Sequence, residues 1–130
     1  MPTALTTQLM FTGQAEEAMA FYVALFNGRV DRIERYAAGG PAPEGTVKRA
    51  EFTIAGHRLA CIDSPAVHAF TFTPSMSLFV DCADEAELAE AFAKLSEGGG
   101  VLMPLGDYGF SRQFGWVNDR FGVSWQLNLP

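Results

Sequence analysis

The sequence predicts an α+β protein made of two βαβββ modules, about 1–66 and about 67–130, within one domain. Three observations predict it. Apolar runs of strand length and one stretch of helical periodicity occur in the order strand, helix, strand, strand, strand, and the order then repeats. The two halves also match at a constant offset, which sets Gln14 on Asp84, Glu17 on Glu87, Tyr22 on Phe92, Leu25 on Leu95 and Gly28 on Gly98. A slightly shorter offset sets Gly56 on Gly122. Finally, hydrophobic residues make up 48% of the 130 and charged residues only 18%. That is below the roughly 25% charge of an average domain, and it excludes disorder, coiled coil and collagen-like repeats. One βαβββ unit leaves a sheet face bare. Two give eight strands that can curve with helices outside and a concave face within, a natural place for a small molecule.

Each element has its own signal. Leu5 to Phe11 is an apolar strand that Gly13 ends. From Gln14 to Phe26 the residues Ala15, Ala18, Met19, Tyr22, Leu25 and Phe26 recur at helical spacing. Glu16 and Glu17 suit the positive end of that helix, and Asn27-Gly28 stops it. Arg29 to Tyr36 reads as a strand, and the Gly/Pro-rich 37–45 segment as a loop. Thr46 to Ala55 and Arg58 to Ile62 read as strands joined at Gly56-His57. Ser64 to Pro74 is a linker. Ser75 to Cys82 is then a strand and Asp84 to Leu95 a helix with Leu88, Ala91, Phe92 and Leu95 on one face, ended by Gly98-Gly99-Gly100. Val101 to Leu105, Phe110 to Val117 and Val123 to Leu129 close the order as strands, the last two joined by the turn at Asp119 to Gly122.

Charge narrows the partners. Nine basic against 15 acidic residues leave a net charge of −6. A phosphate-binding surface needs the opposite sign, so neither nucleic acid nor an anionic membrane is an expected partner. No apolar run reaches the roughly 18 residues of a membrane helix. Met1 to Leu5 carries no basic start ahead of an apolar stretch, so no secretory signal is read. Cys61 and Cys82 are too few for a disulfide framework and are expected reduced in a cytoplasmic setting.

Three segments carry a family likeness: Met10 to Tyr22, His68 to Pro74, and the distinctive run from Asp107 to Gln126. Together they resemble the PhnB-like branch of the vicinal oxygen chelate superfamily, which has the glyoxalase and bleomycin-resistance fold. Members of the branch are often labelled 3-demethylubiquinone-9 3-methyltransferase. The resemblance implies paired βαβββ modules, a homodimer, and a cavity inside cupped sheets. In metal-dependent relatives that cavity holds a divalent ion on His, Gln or Glu side chains.

Carried over by position, the family's metal ligands fall near Thr7 (with Gln8 as competitor), Ala60, Ser75 and Gln126. Alanine cannot ligate, the hydroxyls are weak donors, and glutamine offers one neutral oxygen, so no metal and no cofactor are expected. The alternative is a metal-dependent lyase, isomerase or dioxygenase using other positions, with His57, Asp63 or His68 as donors. His57 follows a turn and His68 sits in the linker, so each reads as an ordinary exposed or packed residue. Cys61 lies in an apolar strand and reads as a small hydrophobe. Cys82 precedes a helix N-terminus, which can activate a thiol, yet no histidine lies near it in sequence. The methyltransferase label has no motif behind it, because the glycine run follows a helix where a cofactor loop would precede one.

The positive signal is aromatic. Phe110, Phe114 and Trp116 share one strand parity with Arg112, and Phe79 lies on another strand. If Gln126 faces the concave side, Ser124 and Asn128 do too, and Trp125 points to the helix layer or to a dimer partner. The expected ligand-binding set is Phe79, Phe110, Arg112, Phe114, Trp116 and Gln126, with Ser77 beside it and Arg112 meeting an anionic substituent. The expected partners are a small organic ligand and a second copy of the chain. The rival reading is a dimer whose aromatics all fill the core.

Overall fold

The computed structural model describes residues 1–130 and places them in two compact units, 1–68 and 69–130. In the first, β1 (Thr7–Phe11), α1 (Ala15–Leu25), β2 (Arg29–Arg35), β3 (Val47–Ile54) and β4 (His57–Asp63) follow one another. In the second, β5 (Leu78–Asp81), α2 (Glu85–Ser96), β6 (Gly100–Gly106), β7 (Gln113–Asn118) and β8 (Ser124–Leu129) repeat the order. Each unit forms its own four-stranded mixed sheet, β1-β4-β3-β2 and β5-β8-β7-β6. The first and last strands of each unit pair in parallel, and the other ladders are antiparallel. This is the α+β, twice-βαβββ architecture that the element order predicts.

One face of each sheet carries its helix. In the first unit α1 buries Ala15, Ala18, Met19 and Tyr22, and the Tyr22 ring stacks 6.5 Å from Phe52 of β3. In the second, α2 buries Leu88, Ala91 and Leu95. A Cβ on Gly115 of β7 would come within 2.8 Å of Phe92 and Leu105, so β7 lies too close to the helix for any side chain there. Trp125 of β8 is fully buried, as are Leu127 and Val117. Its indole Nε1 donates to Asp119 Oδ2 at 2.9 Å. The other oxygen of Asp119 accepts from the Phe121 and Val123 amides, tying the turn before β8 to its core tryptophan.

The two helices start differently. Asp84 caps α2 conventionally, its carboxylate accepting from Glu87 N at 2.9 Å. Gln14 makes no side-chain cap on α1. There the carboxylate of Asp63, at the end of β4, reaches across to accept from Gly13 N and Ala15 N, and its second oxygen accepts from Val47 N. Asp63 is thereby 3% exposed and holds strand, loop and helix together.

Both helices end alike, on a left-handed residue, Asn27 (φ 52) or Gly98 (φ 71), followed by a glycine that lies against a neighbouring strand. A Cβ on Gly28 would sit 2.4 Å from the Thr53 carbonyl oxygen, and one on Gly99 2.1 Å from that of Asn118. The residue equivalent to Gly28 is therefore Gly99, one beyond the match read from sequence. The cause is that α2 has 12 residues and α1 has 11.

Three strand starts differ from expectation by two or three residues, and the other limits by one at most. β1 begins at Thr7, β5 at Leu78 and β7 at Gln113. Ser75 lies in a turn with its hydroxyl on Thr73, and Phe110 and Arg112 precede β7. Apolar letters extended these readings, whereas Pro74 and the Gly109 turn set the real starts.

Candidate functional site

Because Gly115 abuts α2, the alternate residues Phe114 and Trp116 point to the sheet's other face. Register assembles that face. Phe79 pairs with Gln126 across the parallel ladder, Gln126 pairs with Trp116, and Trp116 with Met103. The next row is Asp81, Asn128, Phe114 and Gly106. Phe79 is 54% exposed, while Trp116 and Gln126 are half-buried.

Hydroxyl groups anchor the polar part. Trp116 Nε1 donates to Ser124 Oγ at 2.8 Å, Ser124 and Ser77 share a 2.6 Å hydrogen bond, and Gln126 Nε2 donates to Ser77 Oγ at 3.2 Å. The indole and the amide thus stand in fixed orientations, with Gln126 Oε1 left as an open acceptor. Beside them the rings of Phe79, Tyr108 and Phe110 surround Phe114, at centroid distances of 6.2, 6.2 and 5.0 Å. Phe114 is buried beneath these rings.

The structure brings Phe79, Phe114, Trp116 and Gln126 together on strands, and Phe110 joins them by ring contact rather than by strand parity. Arg112 behaves differently. It sits opposite the chain end, its backbone amide on Leu129 O and its Nε donating to Pro130 O at 2.7 Å. Tyr108 was not among the sequence candidates. Its hydroxyl is tied to Pro104 O, which leaves the ring against Phe110 and Phe114, and the Tyr-Gly-Phe turn was its only sequence signal.

The first sheet presents a different surface. Gln8, Ala60, Glu51 and Arg32 form one row. Arg49 donates to Gln8 Oε1 at 2.5 Å and lies 3.7 Å from Glu51, which also pairs with Arg32. The residue opposite Ala60 is Gln8, not Thr7, and the residue opposite Gln126 is Phe79, not Ser75. The first sheet thus offers an amide and a methyl at this row and the second an amide and a phenyl ring, and the Gln8 oxygen already faces a guanidinium. Neither pair supplies the imidazole or carboxylate donors that a divalent transition metal prefers.

The remaining candidates are placed by other bonds. His57 is exposed and shares a 3.0 Å bond with Thr7, and His68 is bonded to Ser64. Asp63, a donor in the metal-dependent alternative, caps α1. No three His, Cys, Asp or Glu side chains gather as an ion would require. Burial pushes the Cys61 thiol up to about 12, with the nearby Asp63 charge adding to it. Burial likewise pushes Cys82 up to about 11, with Glu87 and Asp81 adding to it. Burial, reinforced by these carboxylates, therefore leaves Cys82 protonated rather than activated. The glycine run ends α2 and packs on β7, and so is committed to backbone geometry.

Two βαβββ units, each with its first strand parallel to its last and a bare face opposite its helix, define the vicinal oxygen chelate fold. The fosfomycin resistance protein FosX from Listeria monocytogenes has this fold, at TM-score 0.66 and 14% identity, with 100% of this chain and 94% of that one covered. The sequence pattern of the 3-demethylubiquinone-9 3-methyltransferase family matches residues 3–128, and the chain belongs to that family. It is similar to the PhnB protein from Bacillus cereus, at 53% identity and TM-score 0.95 over 98% of this chain and 100% of that one. It is also 23% identical to protein YjdN of Escherichia coli, over 96% of this chain and 94% of that one.

Proposed function

We propose that the protein binds a small organic molecule on the bare face of the second sheet, without the metal used by metal-dependent relatives. The observation that carries this reading is the Trp116–Gln126 pair. Both side chains are oriented by the Ser77–Ser124 hydroxyls, are half-exposed, and stand beside exposed Phe79. Oriented polar groups among apolar walls are what a small-molecule site requires. A purely structural dimer would not need a hydroxyl relay to hold an indole at the surface. The misfit of Gln8, Ala60, Phe79 and Gln126 to a divalent ion supports the metal-free reading. The protein works in this proposal as a cytoplasmic homodimer whose role is capture of its ligand.

Calorimetric titration with benzamide, a small neutral aromatic amide, tests the reading. Trp116→Ala and Gln126→Leu should each weaken binding about tenfold, the equivalent of one lost contact of about 1.4 kcal/mol. Unchanged affinity in both folded variants would contradict it.

A further inference from the structure

Resting on that binding reading, we infer that the ligand is a planar organic cation. Donors and acceptors on the second sheet's bare face are unequally used. Four donors are turned inward. The Trp116 N–H goes to Ser124, one hydroxyl proton lies between Ser124 and Ser77, Ser77 also reaches the Pro74 carbonyl, and one Gln126 N–H goes to Ser77.

Apart from the second N–H of each side-chain amide, what remains open on the strands is acceptor. Gln126 Oε1 has no donor. Asn128, only 8% exposed, gives its Nδ2 to Asp81 Oδ1 at 2.8 Å, and its Oδ1 is buried with no partner. Asp81 stands in the same row, exposed, and brings a formal negative charge.

The aromatic surround has the same preference. The ring faces of Phe79 and Trp116 are negative and attract a cation. The guanidinium expected to receive an anionic substituent, that of Arg112, gives its Nε to Pro130 O at 2.7 Å. The net charge of −6 adds long-range attraction for a cation. An anionic ligand would instead meet Asp81 and leave the amide oxygens unsatisfied. A flat amidinium or protonated aromatic amine offers a π-face to the rings and N–H groups to Gln126 Oε1 and the Asp81 carboxylate.

The test is a series of nearly isosteric probes, benzamidine, benzamide and benzoate. Binding is followed at the Trp116 indole N–H and the Gln126 side-chain amide by NMR, on the wild type and on Asp81→Asn. The substitution keeps an acceptor for Asn128 and removes only the charge, and an unchanged backbone spectrum verifies the fold. Benzamidine should bind about tenfold tighter than benzoate, with benzamide between, and the preference should fall to about twofold in Asp81→Asn. Benzoate binding as well as benzamidine would overturn the inference while leaving the binding reading intact. So would a benzamidine preference that Asp81→Asn does not diminish. If none of the three probes moves either resonance, the binding reading fails and the inference fails with it.

Discussion

Trp116 and Trp125 sit on adjacent strands with opposite faces, so one residue type reports on two environments. Trp125 is in the core, hydrogen-bonded to Asp119, and Trp125→Ala should cost the roughly 3–5 kcal/mol of a buried large-to-small change. Trp116 is half-exposed, and Trp116→Ala should cost less than about 2 kcal/mol, measured by urea unfolding. Equal losses would return Trp116 to the core. The thiols give a pH test. Cys61 ionises at an ordinary 9.0 when unfolded and at about 12 when folded, so the folded state holds the proton longer. That contribution to stability is complete below pH 9 and is lost as the pH rises from 9 towards 12. Between pH 8 and about 10.5 the wild type should therefore lose unfolding free energy more steeply than a Cys61→Ala, Cys82→Ala double variant. Parallel slopes would contradict the burial argument. Residue-scale reading from sequence worked where chemistry was local: Ala60 cannot ligate in any fold. It failed for Asp63, whose three amide partners come from segments far away in the chain.

Helix starts separate local from distant determinants at the scale of elements. Asp84→Ala removes a cap encoded beside α2 and should cost about 1 kcal/mol. Gln14→Ala should cost almost nothing, because Gln14 makes no cap bond. Asp63→Ala strands three backbone amides and should cost at least about 3 kcal/mol, although it lies outside α1 altogether. Thermal and urea unfolding of the three variants check the order, and an Asp63→Ala loss no larger than that of Asp84→Ala would refute it. Element order, both helices and all eight strands were legible because apolar periodicity and glycine stops are local signals. Strand starts were less so. Phe110 looks like strand by composition, yet the turn at Gly109 keeps it out of β7. Register was legible by parity for Gln126, Ser124 and Trp125, and illegible across the parallel ladders, where Phe79 rather than Ser75 meets Gln126.

At the scale of the whole molecule, the two sheets have diverged in what they present, charged in the first and aromatic in the second. Elemental analysis of purified protein should find no stoichiometric zinc, nickel, iron or manganese. About one ion per chain, removable only with loss of structure or binding, would overturn the metal-free reading. The homodimer predicts about 28 kDa by light scattering at micromolar concentration, twice the 14.1 kDa chain, and a monomer mass would defeat it.

The proposed ligand site is the bare face of the second sheet, around Trp116 and Gln126. An amide and indole NMR map recorded during a benzamide titration tests it most directly. Shifts should concentrate at the Trp116 indole, the Gln126 side-chain amide and the Phe79 backbone. The Trp125 indole and the helix-facing residues of β3, such as Phe52, should stay still. A map without shifts at Trp116 and Gln126, or with its largest shifts at Trp125 and Phe52, would contradict it.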